Sequence, residues 1–252
     1  MSTKVSGAHQ ALGPPVAFNT QDWWVAGKTR IEGLGIVVGT VNGDAFEHHI
    51  IDGSISAARK YAGSPIAFHR PIDRWVARTG NSTFMVGLVD GSVFQHSIEF
   101  ISPNPVLGAP KKLAGPPVAA RPPDMHVLSI GSQIAVILND GAVFAHQLTV
   151  NGIQPAVRVT GPPVASRTWD RWVISGNVSA GSGDEIFVIT SSGDVWVHQY
   201  NSNLGGIPSI GPAHKLDGPP VAFRTQDRWV LMSGGKIVVI TELGEVFIHD
   251  VS

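Results

Sequence analysis

The chain has 252 residues, of which 15% are charged, with a formal net charge of −1 and no cysteine. The balanced charge argues against a nucleic-acid partner, because such proteins show a basic excess. The missing thiols exclude disulfides and thiol chemistry and remove the commonest soft zinc ligands. No run of about 18 apolar residues is present, so no membrane span is predicted. The start, Met1-Ser2-Thr3-Lys4, lacks the apolar segment of a signal peptide, which predicts a cytoplasmic protein or one exported without such a peptide.

A short phrase, Gly-Pro-Pro-Val-Ala, divides the chain into five repeats. Its copies begin at Gly13, Gly63 (as Gly-Ser-Pro-Ile-Ala), Gly115, Gly161 and Gly218, which lie 50, 52, 46 and 57 residues apart. Proline cannot donate a main-chain hydrogen bond, so the phrase predicts a connection rather than a central strand.

Each repeat continues with four predicted strands in the same order. In the second repeat the first strand holds Arg74-Trp75-Val76, the second strand is apolar, and Asp90-Gly91 marks the hairpin that leads to Phe94-Gln95-His96. A looser fourth strand contains Lys111-Lys112-Leu113, and its counterparts in the first and fourth repeats are Arg59-Lys60-Tyr61 and His214-Lys215-Leu216. Four antiparallel strands in about 50 residues are typical of one propeller blade.

The chain is therefore predicted to be all-β, a single five-bladed β-propeller over residues 1–252 with four antiparallel strands per blade. The last repeat lacks a fourth strand, since three residues follow His249. Residues 8–12 resemble residues 213–216, so the N-terminal segment is expected to pair into the C-terminal blade and close the ring. The predicted blades are residues 13–62, 63–114, 115–160, 161–217, and 218–252 together with 1–12.

One histidine recurs on every third strand. Phe and His share a face there, because side chains alternate with a period of two. This strand lies away from the axis, so each histidine is predicted to pack between blades, bonded to a recurring aspartate and threonine. Such a network resembles in type the Asp–His–Ser/Thr–Trp networks of WD-repeat propellers. Neither a metal site nor a cofactor is predicted. The histidines are His48, His96, His146, His198 and His249.

The stretch Arg-x-x-Asp-Arg-Trp before each first strand is the candidate site, because in propellers such connections surround the mouth of the axial channel. Arg–Asp pairs there either clamp the connection or, with the Trp faces, present a ligand site. Aromatic rings beside hydrogen-bonding groups suit sugars. The candidate ligand-binding residues are Asn19, Trp23, His69, Arg70, Arg74, Arg121, His126, Arg167, Trp169, Arg171, Arg224 and Arg228.

Several of these candidates are departures from the repeat. Asn19 and Trp23 stand where other repeats have arginine, and an inserted residue places His69 beside Arg70. In the third repeat Met125-His126 replaces Arg-Trp, and in the fourth Trp169 replaces glutamine. The sequence leaves three explanations open: several sites between blades, one site on the axis, and neutral drift.

The five alike repeats resemble the five-bladed propeller lectins of the tachylectin type over the whole chain, in repeat number, repeat length and internal similarity. The resemblance implies sites for an N-acetylated or simple sugar, repeated around the ring and free of metal. It carries over no binding residue, because no motif is shared.

The first hypothesis is therefore a non-enzymatic, multivalent carbohydrate-binding protein. Its partner would be a sugar or another small polar ligand, held at the channel mouth or between blades. The alternatives are an enzyme with a single axial site (a glycan hydrolase or lyase, or a natural-product isomerase or cyclase) and a protein-interaction scaffold. The oligomeric state is left open.

Overall fold

The structure is a computed structural model that describes residues 4–28, 33–69, 71–80, 82–101, 104–121, 124–178, 184–203 and 206–252, without the side chains of residues 100 and 101. These residues form five antiparallel sheets arranged as the blades of a β-propeller, which confirms the predicted fold class. The described ranges hold no helix of the length and apolarity that a membrane crossing requires.

Every blade begins with three long strands, which follow one another in the sheet from the axis to the outer edge. The inner strands are β2 (Asp22–Gly27), β8 (Asp73–Thr79), β13 (Asp124–Ile130), β18 (Asp170–Gly176) and β23 (Asp227–Ser233). The second strands are β3 (Gly35–Thr40), β9 (Thr83–Leu88), β14 (Gln133–Leu138), β19 (Asp184–Thr190) and β24 (Lys236–Thr241). The third strands are β4 (Ala45–Ile51), β10 (Val93–Ile101), β15 (Val143–Thr149), β20 (Val195–Asn201) and β25 (Val246–Asp250).

The outer edge of blades 1 to 4 consists of two short strands that pair, one after the other, with the same third strand. The sequence predicted the second of the two in blades 1, 2 and 4, but not the first, which is too short to show an alternating pattern. A further short strand, β7 (Ala62–Gly63), adds to blade 2. The edge strands are β5 (Ser54–Ile55), β6 (Arg59–Lys60), β11 (Asn104–Leu107), β12 (Lys111–Lys112), β16 (Gly152–Ile153), β17 (Val157–Arg158), β21 (Ser209–Ile210) and β22 (His214–Lys215).

The N-terminal segment closes the ring, as predicted. Strand β1 (His9–Ala11) pairs antiparallel with β25, and Val5 forms a bridge to Val251 beside it. The inner strands contact one another in a complete cycle, β2 with β8, β13, β18, β23 and back to β2. The last blade therefore takes its outer strand from the opposite end of the chain.

The repeated phrase Gly-Pro-Pro-Val-Ala packs on the hairpin of the preceding blade. In blade 2 the N–H of Ile66 donates to the carbonyl of Gly43, the tip of the second hairpin of blade 1, at 2.9 Å. Gly43 has a φ of +82°, and a side chain there would meet Pro65 at 2.5 Å. The same bond recurs at all five junctions, with N···O distances of 2.8–2.9 Å. This contact explains why the phrase and the glycine turn recur together.

The core lies between neighbouring blades. The second strands are its centre: Ile237, Val238, Val239 and Ile240 of β24 are each at most 1% exposed. Such a strand is covered on both faces, so it is apolar at every position rather than at alternate ones.

Candidate functional site

The recurring aspartate opens each inner strand and fixes the turn before it. Oδ2 of Asp22 accepts the main-chain N–H of Asn19 at 2.8 Å, and Oδ2 of Asp227 accepts that of Arg224 at 2.9 Å. Blades 3 and 4 repeat the bond. In blade 2 the inserted residue makes His69 the donor to Asp73.

In blades 3, 4 and 5 the first arginine of the repeat fills a space between this aspartate and the aromatic ring of the third strand, which we call the arginine slot. In blade 5, Cζ of Arg224 lies 4.2 Å from the centroid of the Phe247 ring, and Nη2 lies 2.9 Å from Oδ1 of Asp227. In blade 4, Cζ of Arg167 lies 5.1 Å from the centroid of the Trp196 ring, and its Nη2 lies 3.0 Å from Oδ1 of Asp170. In blade 3, Cζ of Arg121 lies 5.4 Å from the centroid of the Phe144 ring, and its Nη2 lies 3.3 Å from Oδ1 of Asp124.

The second arginine of the repeat joins one blade to the next. The guanidinium of Arg171 donates to three carbonyl oxygens of the following connection, those of Ala222, Arg224 and Asp227, at 3.4, 3.2 and 3.2 Å. Arg74 and Arg228 make the equivalent contacts in their own junctions. Their hydrogen-bonding capacity is directed at the protein main chain.

The five histidines of the third strands are buried, at 3–6% exposure, as expected. Nδ1 of each lies 3.0–3.1 Å from a main-chain carbonyl oxygen, so this nitrogen carries the proton. The bonding partner is thus a carbonyl rather than the predicted aspartate or threonine side chain. Burial lowers the pKa of all five below its ordinary value. In the described ranges no three histidine, aspartate or glutamate side chains converge as metal ligands do.

Blade 1 has an open groove at the position of the arginine slot. It lies between residues 14–22 and the face of the blade 1 sheet, and its volume is about 810 Å³. We define this blade 1 groove by Phe18, Asn19, Asp22, Asp44, Phe46 and His48, all of which line it.

Asn19 is the reason for the open groove. It occupies the position of Arg121, Arg167 and Arg224, and its side chain is shorter than that of arginine and carries no charge. The ring of Phe46 and the buried carboxylate of Asp22 are retained, and both line the groove. Blade 1 therefore keeps two sides of the arginine slot without the arginine.

A second cavity, of about 440 Å³, lies on the propeller axis. Its lining comes from the later part of the inner strands, so it is on the side away from the Arg-x-x-Asp connections. Polar side chains at that end include Arg78, Asn177 and Asp184. One valine from every blade lines the cavity: Val25, Val76, Val127, Val173 and Val230.

Among the described residues that line the axial cavity, Asp184 is the acidic one. Burial raises the pKa of its carboxyl group above the ordinary value. A side chain on Gly131, at the inner hairpin of blade 3, would meet Oδ2 of Asp184 at 2.8 Å, so a glycine there leaves room for the carboxylate.

The predicted site residues do not meet in one place. Asn19 lines the blade 1 groove, whereas Trp23 packs against the core between blades 1 and 2. His69 is exposed, and its ring centroid lies 3.8 Å from that of Phe68 with the two planes tilted by 38°. His126 is half-buried, and burial lowers its pKa. Trp169 is 53% exposed, and Cζ of Arg167 lies 5.8 Å from the centroid of its ring. Arg70 lies outside the described residues.

Sequence reasoning missed Phe46 as a groove residue and two charged groups of the axial cavity, Arg78 and Asp184. The sequence shows Phe46 as part of the Phe-x-His pattern, but whether a ligand can reach its ring depends on the residue at position 19. Arg78 and Asp184 come from blades 2 and 4, and no spacing in the sequence connects them.

No protein-family model matches the sequence, and no curated protein does. Among solved structures, the glutaminyl cyclase of Myxococcus xanthus is similar over 100% of this chain and 99% of its own, at 12% identity and a TM-score of 0.50. Human WBSCR16 is similar over 86% of this chain and 59% of its own, at 16% identity and a TM-score of 0.38. At such identities the first likeness shows the propeller fold alone, because one fold hosts many functions.

Proposed function

We propose that the protein is a non-enzymatic ligand-binding module, as lectins are, and that its binding site is the blade 1 groove. The observation that carries this proposal is the replacement of the slot arginine by Asn19. It leaves an aromatic face, that of Phe46, beside the buried carboxylate of Asp22 in a groove open to solvent. Pockets that combine an apolar wall with a few convergent polar groups are the usual form of small-ligand sites.

The ligand of such a groove presents a flat face to the Phe46 ring and hydrogen-bond donors to the carboxylates. Sugars have both features, since their C–H faces stack on aromatic rings and their hydroxyls donate. The lectin resemblance remains a prediction on this basis. Because arginine fills the slot in blades 3, 4 and 5, the proposal assigns the binding to blade 1 rather than to equal sites in every blade.

The substitution Asn19→Arg tests the proposal by closing the groove with the protein's own slot residue. On a glycan array followed by calorimetry, we expect the native protein to bind and N19R to bind at least about tenfold more weakly, equivalent to about 1.4 kcal/mol. Thr225→Arg is the matched control, because it adds the same charge to blade 5 at an exposed position outside the groove. A glycan bound equally well by N19R would place the site elsewhere, and no glycan binding at all would argue against a lectin.

The second candidate function is an enzyme with its site in the axial cavity. Asp184 favours it, because a carboxyl group whose pKa is raised by burial is suited to proton transfer. The reaction to test first is the one that the name of the Myxococcus xanthus protein describes, cyclisation of a glutaminyl substrate. Turnover that is lost in Asp184→Asn and retained in N19R would support this candidate against the first.

A further inference from the structure

The chain itself shows which chemical group the arginine slot holds. In blades 3, 4 and 5 the same three components occur: a third-strand aromatic ring, the aspartate that opens the inner strand, and a guanidinium between them. The tightest example is blade 5, where Arg224 lies 4.2 Å from the Phe247 ring centroid and its Nη2 lies 2.9 Å from the Asp227 carboxylate. A planar cation over a ring and against a carboxylate is a favourable combination of stacking and charge-assisted hydrogen bonding.

Blade 1 retains the ring and the carboxylate. Asp22 is 8% exposed and holds the same turn as its counterparts, since its Oδ2 accepts the N–H of Asn19 at 2.8 Å. The carboxylate is therefore positioned as in the other blades. At the position of the slot arginine, blade 1 has Asn19, whose amide side chain is shorter and uncharged. A buried carboxylate gains most from a partner that brings a positive charge as well as donors.

Lys60 does not take the place of the missing arginine. Its Nζ lies 5.9 Å from the Phe46 ring centroid and forms an ion pair with Asp44 at 2.8 Å. Blade 4 has the same pair, Lys215 with Asp194 at 2.9 Å, and contains Arg167 in the slot as well. The lysine and the slot guanidinium are thus compatible, and the lysine position belongs to the edge of the blade.

We infer that the blade 1 groove binds a guanidinium group supplied from outside the chain, as the side chain of an arginine or as a small guanidinium compound. This inference rests on the proposed binding function and names its ligand. The incoming group stacks on Phe46 and donates to Asp22, and so reproduces the contacts of Arg224 with Phe247 and Asp227. The groove volume of about 810 Å³ exceeds that of the guanidinium alone, which leaves room for the aliphatic stem and flanking atoms.

The same contacts predict that the blade 1 groove binds a guanidinium group more tightly than an ammonium group, an anion or a neutral sugar. An ammonium ion lacks the planar, forked donors, so a lysine side chain stacks less well on Phe46 and pairs less well with Asp22. Anionic ligands are opposed by the carboxylates of Asp22 and Asp44. A neutral sugar stacks on the ring but brings no charge to the buried carboxylate.

The test is a titration of the full chain with N-acetyl-arginine methylamide, and with its lysine counterpart, by calorimetry and NMR. We expect one site for the arginine compound, at least tenfold weaker binding of the lysine compound, and loss of binding in N19R but not in Thr225→Arg. Free guanidinium ion is the third probe. If the ligand is an arginine side chain, its aliphatic stem adds contacts, and the arginine compound should bind more tightly than free guanidinium ion. Equal affinities would indicate a small guanidinium compound.

Replacing the arginine of a second arginine slot with asparagine provides an independent test, because it should add a second binding site. Arg121 is the most suitable position, because its side chain is 59% exposed and its removal disturbs the core least. We expect Arg121→Asn to raise the stoichiometry for the arginine compound from one to two, and Arg224→Asn to do so if R121N does not fold.

The failures of the two proposals are distinguishable. If a glycan binds to the native protein and not to N19R while the arginine compound does not bind, the groove is the site but the guanidinium assignment is wrong. If the arginine compound binds N19R as well as the native protein, the guanidinium assignment is wrong. If neither class of ligand binds, both the ligand and the groove function are overturned.

Discussion

At the scale of single residues, blade 1 differs from the other blades by more than Asn19. Glu47 of β4 is fully buried at a position where the other third strands have Gln95, Ala145, Val197 and Ile248. Its carboxylate accepts a bond from the Tyr61 hydroxyl at 3.0 Å and one from Nε of Arg59 at 2.9 Å, and Nζ of Lys28 lies 3.4 Å away. Burial by itself raises the pKa of Glu47, but the bond from Arg59, the charge of Lys28 and the Tyr61 bond outweigh it and lower the pKa to about 2.

This carboxylate should make the protein sensitive to acid. A carboxyl whose pKa is lower in the folded state than in the unfolded state stabilises the fold fully above the unfolded value, and the contribution is lost as the pH falls through the folded value. For Glu47 the loss extends from about pH 4.5 to about 2 and amounts to about 3 kcal/mol. Urea unfolding of the native protein and of Glu47→Gln between pH 7 and pH 2 measures it. We expect E47Q to be less stable at pH 7 and the difference to shrink toward pH 2; a difference that is independent of pH would refute the assignment.

At the scale of elements, the packing of the inner strand against the second strand differs between the first two blades and the other three. Blades 1 and 2 share one close contact there. The indoles of Trp24 and Trp75 lie against Gly39 and Gly87 of the neighbouring strand, where an added Cβ would overlap the ring. Blades 3, 4 and 5 have isoleucine at the glycine position, so the indole or imidazole there adopts a different arrangement.

The close contact at Gly87 predicts a large effect of a small substitution. Gly87→Ala should lower the free energy of unfolding by about 3 kcal/mol, because the methyl group displaces Trp75 from its position between strands. Gly7→Ala is the matched control, since no atom lies within 4 Å of its added Cβ, and it should change stability by no more than about 0.5 kcal/mol. Denaturant unfolding monitored by tryptophan fluorescence compares the two. Equal stabilities would show that the indole has room to shift.

At the scale of the whole molecule, the ring depends on a segment that joins the two ends of the chain. Val5 is 5% exposed in the core between blades 4 and 5, and the carbonyl of Ser6 accepts the bond from Nδ1 of His249. Without residues 4–11 the third strand of the last blade would present an unpaired edge, which invites aggregation.

Removal of residues 1–12 should therefore unfold or aggregate the protein. A synthetic peptide of residues 1–12, added in excess, should restore the melting transition by pairing with β25, because a partner that binds only the folded state stabilises it. Differential scanning calorimetry with and without the peptide is the measurement, with a peptide of scrambled sequence as the control. A truncated protein that melts at the native temperature would contradict the closure.

The spacing and residue pattern of the repeats predict the number of blades, the order of strands, the closure of the ring and the burial of the third-strand histidines. The blade number, the strand order and the burial of the histidines follow from local spacing, from alternation along strands and from turn glycines, which act between residues near in the chain. The closure follows from the missing fourth strand of the last repeat and from the resemblance of residues 8–12 to residues 213–216. The tertiary structure decided which departures from the repeat matter. Asn19 matters because Asp22 and Phe46, from two different strands, line the same groove, and Arg171 donates to a connection more than fifty residues away. Such pairings depend on how blades pack around the ring, because that packing, and not the chain order, brings these side chains within hydrogen-bonding or stacking distance.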